Sequence, residues 1–213
     1  RPEILQHDDQ ADLVTAVIGD AGLAASTIDI VGHSYGGAGA VRMVLRKLAD
    51  IRSLVLIEPM VACLLRELGE TDALAELEGI QDDFCERLAK DGPEAAWQGF
   101  LDFRNEPGTW VGYAEKTRQN FIRRTPAQLA NFNANANNRT TQAEVRSIDK
   151  STLVIRGVDT SLYDMRMSEI VAETIPGAEF LILEDAGHMS PLTHPERVTR
   201  EILRHIGAET VSA

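Results

Sequence analysis

The segment from Thr27 to Gly37, TIDIVGHSYGG, limits the fold of this 213-residue chain more than any other segment. Its first half is apolar and β-branched, which predicts a short buried strand. Gly32 to Gly36 then has the form G-x-S-x-G, and residues 38–48 (AGAVRMVLRKL) predict a helix. A strand, a tight turn and a helix in this order are the context in which G-x-S-x-G forms a nucleophile elbow. The pattern therefore predicts that Ser34 stands at the tip of a sharp turn.

Such a turn has two consequences for the chemistry of Ser34. The residues two places on either side must be small, and Gly32 and Gly36 meet this steric demand. The turn also points the N-terminus of the next helix at the serine hydroxyl, so the Tyr35 amide can donate to an oxyanion with help from the helix dipole. A bare G-x-S-x-G is a weak motif, and the alternative is a glycine-rich turn with an inert serine.

Composition limits the class of protein without identifying a function. The length suits one domain with an insertion, and 44% hydrophobic and 25% charged residues are ordinary for a globular protein. The net charge of −12 argues against nucleic acid and anionic membrane surfaces as partners. No apolar run is long enough for a membrane span, and the opening residues carry no signal-peptide pattern. With only two cysteines no disulfide framework is implied, so we expect a cytoplasmic protein.

The strands that follow predict a parallel sheet. Residues 51–57 (IRSLVLI) are a nearly continuous apolar run, which is typical of a strand covered by helices on both faces. Two such strands joined by a helix form a right-handed βαβ unit, and ligands bind at the carboxyl ends of its strands. Ser34 and Glu58 both lie at such ends. The later part of the chain predicts two more strands, over 151–156 and 179–183, and two helices, over 165–174 and 195–206.

A long helical segment, residues 60–150, separates the second strand from the third. Glycine and proline divide it into several predicted helices, and we expect the last of these to end near Asn133 in an asparagine-rich loop. Most aromatic residues of the chain lie in this segment: Trp97, Phe100, Phe103, Trp110, Tyr113 and Phe121. We expect most of them to form the core of the segment, with one or two facing a substrate pocket.

A histidine near the C-terminal end is the best candidate for a catalytic base. Hydrolysis by a serine needs a base that takes its proton and an acid that orients the base. Of the five histidines, His188 stands in DAGHMSP directly after a predicted strand. The glycine before it allows a tight loop that brings the imidazole over Ser34. The alternative is a loop histidine whose ring is satisfied by the backbone.

Together these residues resemble the α/β-hydrolase superfamily. The resemblance is carried by GHSYGG after DIV, by LVLIEP, and by DAGHMSPLTHPERV near the end. It implies an α/β fold with a mostly parallel sheet flanked by helices and a helical cap over the nucleophile. The implied division is 1–59 for the first part of the hydrolase core, 60–150 for the cap and 151–213 for the second part of the core.

The resemblance also implies two strands before the first helix, one of them followed by a loop with a second oxyanion donor. Neither strand is in this sequence. We therefore expect that the N-terminal part of the core is absent from this chain. A homodimer or a missing segment would then complete the open edge of the sheet.

Two residues are candidates for the acid of the triad, whose order in this superfamily is serine, acid, histidine. Asp159 follows Gly157 after the third strand, which is the usual place, although the common spacing is often one residue longer. Glu58, at the end of the second strand, is the site that some relatives use. Asp159 is slightly favoured, while Asp164 is better suited to capping the following helix.

The resulting hypothesis is a serine hydrolase that cleaves a small ester, thioester or amide through an acyl-enzyme. It assigns Ser34 as the nucleophile, His188 as the base, Asp159 or Glu58 as the acid and the Tyr35 amide as the oxyanion donor. No metal or organic cofactor is implied. C–C bond hydrolysis and perhydrolysis are alternatives within the class. The alternative outside the class is a non-catalytic ligand-binding module, or an inactive fragment, on the same fold.

Overall fold

The computed structural model describes residues 6–207, and its centre is one sheet of four parallel strands. The strands follow each other in chain order across the sheet: β1 Thr27–His33, β2 Asp50–Ile57, β3 Ser151–Asp159 and β4 Glu179–Gly187. All three pairings are parallel, as the apolar runs predicted. The carboxyl ends of the four strands therefore meet at one edge, where Ser34, Glu58 and His188 directly follow β1, β2 and β4.

Helices cover the sheet and fill the segment between β2 and β3. Within residues 6–207 they are α1 His7–Asp20, α2 Tyr35–Leu45, α3 Ala62–Leu68, α4 Thr71–Asp91, α5 Pro93–Arg104, α6 Thr109–Gly112, α7 Glu115–Arg123, α8 Thr125–Asn137, α9 Gln142–Arg146, α10 Leu162–Thr174, α11 Ser190–Thr193 and α12 Pro195–His205. None of these helices has both the length and the apolar character that a membrane span requires.

The two central strands bury alternate residues on opposite faces of the sheet. Leu54, Leu56 and Val154 belong to the apolar cluster that α1, α2 and α10 cover. Val55 and Ile155 belong to a second cluster, which α12 covers through Val198 and neighbouring residues. Because side chains alternate along a strand, a nearly continuous apolar run is what two covered faces require.

The segment between β2 and β3 has an aromatic core of its own. The buried members of this cluster are Phe84, Ala96, Trp97, Leu101, Trp110 and Phe132. Phe84 meets Trp97 and Phe132 edge to face at 5.4 Å between ring centroids, an arrangement that aromatic pairs favour. In contrast, 43% of Phe103 is exposed. We call residues 60–150 the cap below, and their status as a separate domain stays a prediction.

Several element boundaries differ from those predicted. Helix α2 begins at Tyr35, three residues earlier than expected, because its first turn contains two glycines that carry no helix signal. Helix α8 continues to Asn137 instead of ending near Asn133, since Phe132 and Asn135 are buried against the rest of the protein. Strand β4 runs on to Gly187, which pairs with Asp159 of β3 and delivers the chain to His188.

Strand β1 lies at an edge of the sheet. Within residues 6–207 no strand pairs with its outer side, and 47% of Val31 is exposed. An unpaired edge presents backbone donors and acceptors to other chains. The expected completion of this edge by a homodimer or a further segment stays a prediction.

Of the two glycines that flank Ser34 in the motif, Gly32 and Gly36, close packing requires only one. A Cβ on Gly32 would lie 2.7 Å from the Gly37 Cα and 2.8 Å from the Gly36 carbonyl oxygen. A Cβ on Gly36 would have no atom of the described residues within 4 Å. The expectation that both positions must be small is therefore wrong for Gly36, and Gly37, whose Cβ would lie 2.8 Å from Pro59, is tight instead.

This difference predicts opposite effects of two matched substitutions. Gly32→Ala should lower the free energy of unfolding by about 1–3 kcal/mol, because the new methyl group meets backbone atoms that cannot move aside cheaply. Gly36→Ala, within the first turn of α2, should leave the stability unchanged or raise it by up to about 1 kcal/mol. Urea unfolding of both variants checks this, and equal losses would contradict the elbow packing described above.

Candidate active site

Ser34 occupies a strained turn between β1 and α2. Its φ of 53° and ψ of −124° lie in a region that residues other than glycine rarely adopt, at a cost of about 1–3 kcal/mol. The turn is held by its backbone: the Ser34 N–H donates to the Ile57 carbonyl at 2.9 Å, and the Met60 N–H donates to the Ser34 carbonyl at 3.0 Å. The ends of β1 and β2 thus fix the serine in the geometry of an elbow.

The imidazole of His188 connects Ser34 to a buried carboxylate. Its Nε2 lies 3.1 Å from the Ser34 Oγ, and its Nδ1 lies 2.7 Å from the Glu58 Oε2. Since a carboxylate can only accept, Nδ1 carries the proton and Nε2 is free to accept from the serine hydroxyl. His188 is buried, and these two partners set its tautomer.

Glu58 is fully buried and both of its oxygens have further donors. The Gly157 N–H donates to Oε1 at 2.8 Å, and the Thr160 hydroxyl donates to Oε2 at 2.8 Å. The backbone of Glu58 has a positive φ of 42°, which marks a sharp change of direction at the end of β2. These contacts hold the carboxylate against the imidazole in one orientation.

Asp159, the acid that the sequence slightly favoured, is not in this position. It is exposed, it belongs to β3, and within the described residues it makes no hydrogen bond to His188. The physical reason is that β3 continues through Asp159 by pairing with Gly187. A spacing one residue longer leads to Thr160, which donates to Glu58. Of the two candidates, the structure brings Glu58 into contact with the base.

A second buried carboxylate lies close to the same imidazole nitrogen. The Asp164 Oδ2 is 3.5 Å from the His188 Nδ1 and accepts from the Arg104 Nη1 at 2.5 Å and from the Ser161 hydroxyl at 2.6 Å. Arg104 also donates to the Tyr163 hydroxyl. Although burial opposes the charge of Arg104, the carboxylate of Asp164 beside it raises the pKa of the guanidinium. The sequence analysis preferred a helix cap to the triad acid as the role of Asp164 and did not select Arg104.

The ligand atoms of Glu58, Asp164 and His188 lie within 4.8 Å of one another, close enough to hold a metal ion. The donor set argues for a different use, because Arg104 already supplies a positive charge to Asp164. The same atoms are also engaged by hydrogen bonds from Gly157, Thr160 and Ser161. The arrangement is that of a buried network of charged groups.

His33, within the G-x-S-x-G motif, supports the base from the other side. Its Nε2 lies 2.8 Å from the His188 carbonyl oxygen, and the two ring centroids are 4.7 Å apart. Burial and the neighbouring His188 lower the pKa of His33 to about 4, so the ring is neutral near pH 7 and donates this hydrogen bond. The sequence analysis selected His188 as the base and did not predict this contact with His33.

The elbow also presents a backbone donor. The Tyr35 N–H belongs to the first residue of α2 and has no acceptor among residues 6–207, which suits the predicted role at an oxyanion. The Tyr35 ring packs at 4.8 Å from His7, whose Nε2 contacts the Asn135 side chain of the cap at 3.0 Å. Burial raises the pKa of the Tyr35 phenol to about 12. Burial also lowers the pKa of His7 to about 4.

These two histidines predict an acid-sensitive fold. In the unfolded chain, His7 and His33 take up protons near pH 6.5, whereas in the fold each has a pKa of about 4. The unfolded state therefore binds more protons as the pH falls from about 6.5 to 4, and each histidine costs up to about 3 kcal/mol of stability over that window. We expect urea unfolding at several pH values to show this loss. His33→Gln should have a shallower slope, and an unchanged slope would contradict the assignment.

A cavity of about 530 Å³ lies between this site and the cap. Ser34, Tyr35 and His188 line its floor, and its walls are mostly apolar and come from the cap. The apolar wall residues are Met60, Leu77, Ile80, Trp97, Phe100, Leu101, Phe121 and Phe132. Amide side chains are interspersed among them: Gln81, Asn105, Gln128, Asn131 and Asn135. Such a lining suits a small, mainly apolar molecule that carries a few polar groups.

Comparison with known proteins agrees with this geometry. The family described as the alpha/beta hydrolase family matches residues 2–201 of the sequence. The chain belongs to the alpha/beta hydrolase family. The predicted superfamily and fold class are thereby confirmed. The chain of this α/β hydrolase is 28% identical over 178 residues to a 2-hydroxymuconate semialdehyde hydrolase of Pseudomonas putida, an alignment that covers 81% of this chain. The alignment spans only 59% of the length of that curated relative.

Solved structures show the same fold at low sequence identity. One is MGS-M2, an α/β hydrolase from a Medee basin deep-sea metagenome library, with a TM-score of 0.75 and 20% identity. The alignment covers 100% of this α/β hydrolase and 76% of that chain. Another is a thermophilic esterase from Thermogutta terrifontis, with a TM-score of 0.67 and 23% identity over 97% of this chain and 74% of the esterase. At this identity the likeness concerns the fold alone.

Proposed function

We propose that this α/β hydrolase is a serine hydrolase that cleaves a small ester, thioester or amide through an acyl-enzyme. The observation that carries the proposal is the hydrogen-bonded chain from the Ser34 Oγ through His188 to Glu58, at 3.1 and 2.7 Å, on the floor of the cap cavity. A nucleophile, a base and a buried acid in this order are the parts that acyl transfer requires.

The first half of the reaction follows from these contacts. Ser34 attacks the carbonyl carbon of the substrate while its proton passes to the His188 Nε2. Glu58 stabilises the imidazolium that results, and the hydrogen bonds from Gly157 and Thr160 hold its carboxylate in place. The Tyr35 N–H faces the oxyanion, and the collapse of the intermediate transfers the proton from His188 to the leaving group.

The second half of the reaction uses the same groups on water. His188, neutral again after the leaving group departs, takes a proton from a water molecule that attacks the acyl carbon. The second tetrahedral intermediate collapses, the acid product leaves, and Ser34 recovers its proton from His188. No step requires a metal ion or an organic cofactor.

The cavity supports a substrate of modest size. A volume of about 530 Å³ and mostly apolar walls favour an apolar acyl or alcohol part, while the amide groups of the cap offer hydrogen bonds to a polar substituent. An esterase is among the solved structures that share this fold. We infer a small-molecule substrate rather than a macromolecular one.

C–C bond hydrolysis is the second candidate, and the similarity to the 2-hydroxymuconate semialdehyde hydrolase favours it. The triad of this proposal can serve either reaction, since both end with water attacking a carbonyl carbon. 2-Hydroxymuconate semialdehyde itself discriminates between them. Turnover of this compound, followed by the loss of its absorbance, at a rate above that of simple esters would replace the ester hydrolase proposal by this one.

The proposal is tested by an acyl-enzyme experiment with p-nitrophenyl acetate. We expect a burst of p-nitrophenolate that approaches one equivalent of enzyme, together with a mass increase of one acetyl group in acid-quenched samples. The non-catalytic alternative predicts neither signal, although it allows a ligand to bind in the cavity. Hydrolysis by Ser34→Ala at the rate of the parent would contradict the covalent mechanism.

A further inference from the structure

One buried arginine connects the cap to the catalytic base. Arg104 is the last residue of α5, and its side chain is only 7% exposed. Its Nη1 lies 2.5 Å from the Asp164 Oδ2, and this same oxygen lies 3.5 Å from the His188 Nδ1. The arginine, the second carboxylate and the imidazole therefore share one buried site. The serine hydrolase chemistry proposed above gives no role to Arg104 or Asp164.

Every element packed against His188 contributes a group to its charge environment. The buried groups are Glu58 after β2, Asp164 and Tyr163 on α10 and the side chain of Arg104 on α5, and half-buried His33 lies at the end of β1. Arg104, Asp164 and His188 also line a smaller cavity of about 210 Å³, where they meet two carboxylates in reach of water, Glu76 of α4 and Asp159 of β3. Water screens these last two carboxylates, so the buried groups dominate.

Arg104 offsets one of the two negative charges that lie beside the imidazole of His188. Glu58 and Asp164 each carry a negative charge, Arg104 carries a positive one, and His33 is neutral because burial lowers its pKa to about 4. The resting site thus has one net negative charge, which a protonated His188 neutralises during the reaction. Without Arg104 there would be two negative charges beside the imidazole, and these would stabilise its protonated, inactive form at rest.

The hydrogen bonds also separate the tasks of the two carboxylates. Glu58 lies 2.7 Å from the His188 Nδ1, whereas Asp164 lies 3.5 Å from it. The closer Asp164 oxygen is occupied by donors from Arg104 and Ser161. Loss of the guanidinium would free this oxygen to compete with Glu58 for the imidazole proton.

We propose that Arg104 is a positioning residue for the base: by binding Asp164, it leaves Glu58 as the one carboxylate that orients His188 and offsets the second negative charge beside the imidazole. The inference rests on the serine hydrolase function proposed above. Helix α5 also supplies Trp97, Phe100 and Leu101 to the cavity wall, and Arg104 itself lines this cavity.

The test compares Arg104→Met, Asp164→Asn and the double variant with the parent. The readout is the pH dependence of kcat/KM for p-nitrophenyl butyrate and of the inactivation rate with diisopropyl fluorophosphate. We expect the acid limb of both profiles to move up by about one pH unit or more in Arg104→Met, because an unopposed Asp164 stabilises the imidazolium. It should move down in Asp164→Asn, and it should return close to the parent in the double variant.

Opposite shifts are a result that a merely structural role would not produce. Arg104→Lys, which keeps the charge, should retain the acid limb of the parent even where kcat falls. If Arg104→Met does not fold, as judged by circular dichroism, the comparison of Asp164→Asn with the double variant still tests the proposal. The acid limb of Asp164→Asn should then lie at lower pH than that of the double variant. Acid limbs that coincide in all folded variants would overturn the proposal.

A second measurement separates failure of this inference from failure of the proposed function. The pH titration of the His188 Cε1 proton by NMR, assigned by its absence in His188→Gln, needs no turnover. If the parent does not react with diisopropyl fluorophosphate but the two single variants shift this titration in opposite directions, the charge network is supported and only the serine hydrolase proposal is overturned. A reactive parent with titrations that coincide would overturn only the role of Arg104.

Discussion

Ser34→Ala is expected to lower kcat for p-nitrophenyl butyrate by about 10⁵–10⁶-fold, down to the level that binding and the backbone donor alone support. The physical reason is that the substitution removes the only atom in the proposed mechanism that can form the acyl-enzyme, while His188 and Glu58 keep their places. Initial rates at saturating substrate measure this loss. The variant is purified on separate material to exclude carry-over of the parent.

The same variant should fold like the parent. Serine and alanine at position 34 have the same backbone strain at a φ of 53°, and the hydrogen bonds that hold the turn are made by the backbone. We expect a free energy of unfolding within about 0.5 kcal/mol of the parent. A folded Ser34→Ala variant that retained more than a few per cent of the activity would contradict the assignment of Ser34 as the nucleophile.

Glu58→Gln is expected to lower kcat by about 10⁴-fold with little change of KM. A glutamine keeps the shape of the side chain, but it cannot stabilise the imidazolium, and its NH₂ group can force His188 into the tautomer with the proton on Nε2. In that tautomer the imidazole can no longer accept the proton of Ser34. Steady-state kinetics with p-nitrophenyl butyrate at the pH optimum gives both constants.

Asp159→Asn is the matched control for this prediction. Asp159 is exposed and lies on β3 beyond the hydrogen bonds of His188, so its substitution should change kcat by less than about threefold. The two carboxylates were the alternatives that the sequence left open, and the pair of variants decides between them. A large loss in Asp159→Asn together with a small one in Glu58→Gln would reverse the assignment of the acid.

The parts of this site that are local in the chain were predictable. A strand, a glycine-rich turn and a helix within about fifteen residues predict the elbow at Ser34, and close packing requires the glycine at position 32. His188 follows a strand at its carboxyl end, and parallel strands bring such ends together. These two placements therefore needed no knowledge of the three-dimensional structure beyond the direction of the strands.

The acid could not be chosen in the same way, since the choice depends on a detail of pairing. Asp159 and Glu58 both stand at strand ends, but β3 continues by one pair beyond a register shift, and this keeps Asp159 in the strand. No composition or spacing rule reports such a shift. The end of α8 was predicted too early, near Asn133, because of the asparagine-rich stretch after Phe132. There the burial of Asn135 against His7 outweighs the weak helix propensity of asparagine.

The role proposed for Arg104 could not be predicted from the sequence, because it depends on contacts between residues that are far apart in the chain. It ends a cap helix and meets Asp164, sixty residues later in the chain, in a buried ion pair. Any helix of this chain could end in an exposed arginine, and several do, so nothing local distinguishes this one. Only the meeting of the cap with α10 shows that its charge lies beside the base.

The most direct test of the central claim is the intact mass of the protein after treatment with a fluorophosphonate, on the chain and on Ser34→Ala. A single phosphonyl adduct on the parent that is absent from the variant is the result that the proposed triad predicts, because only a serine with a working base reacts at a useful rate. A folded parent without an adduct would contradict the claim that Ser34, His188 and Glu58 act together.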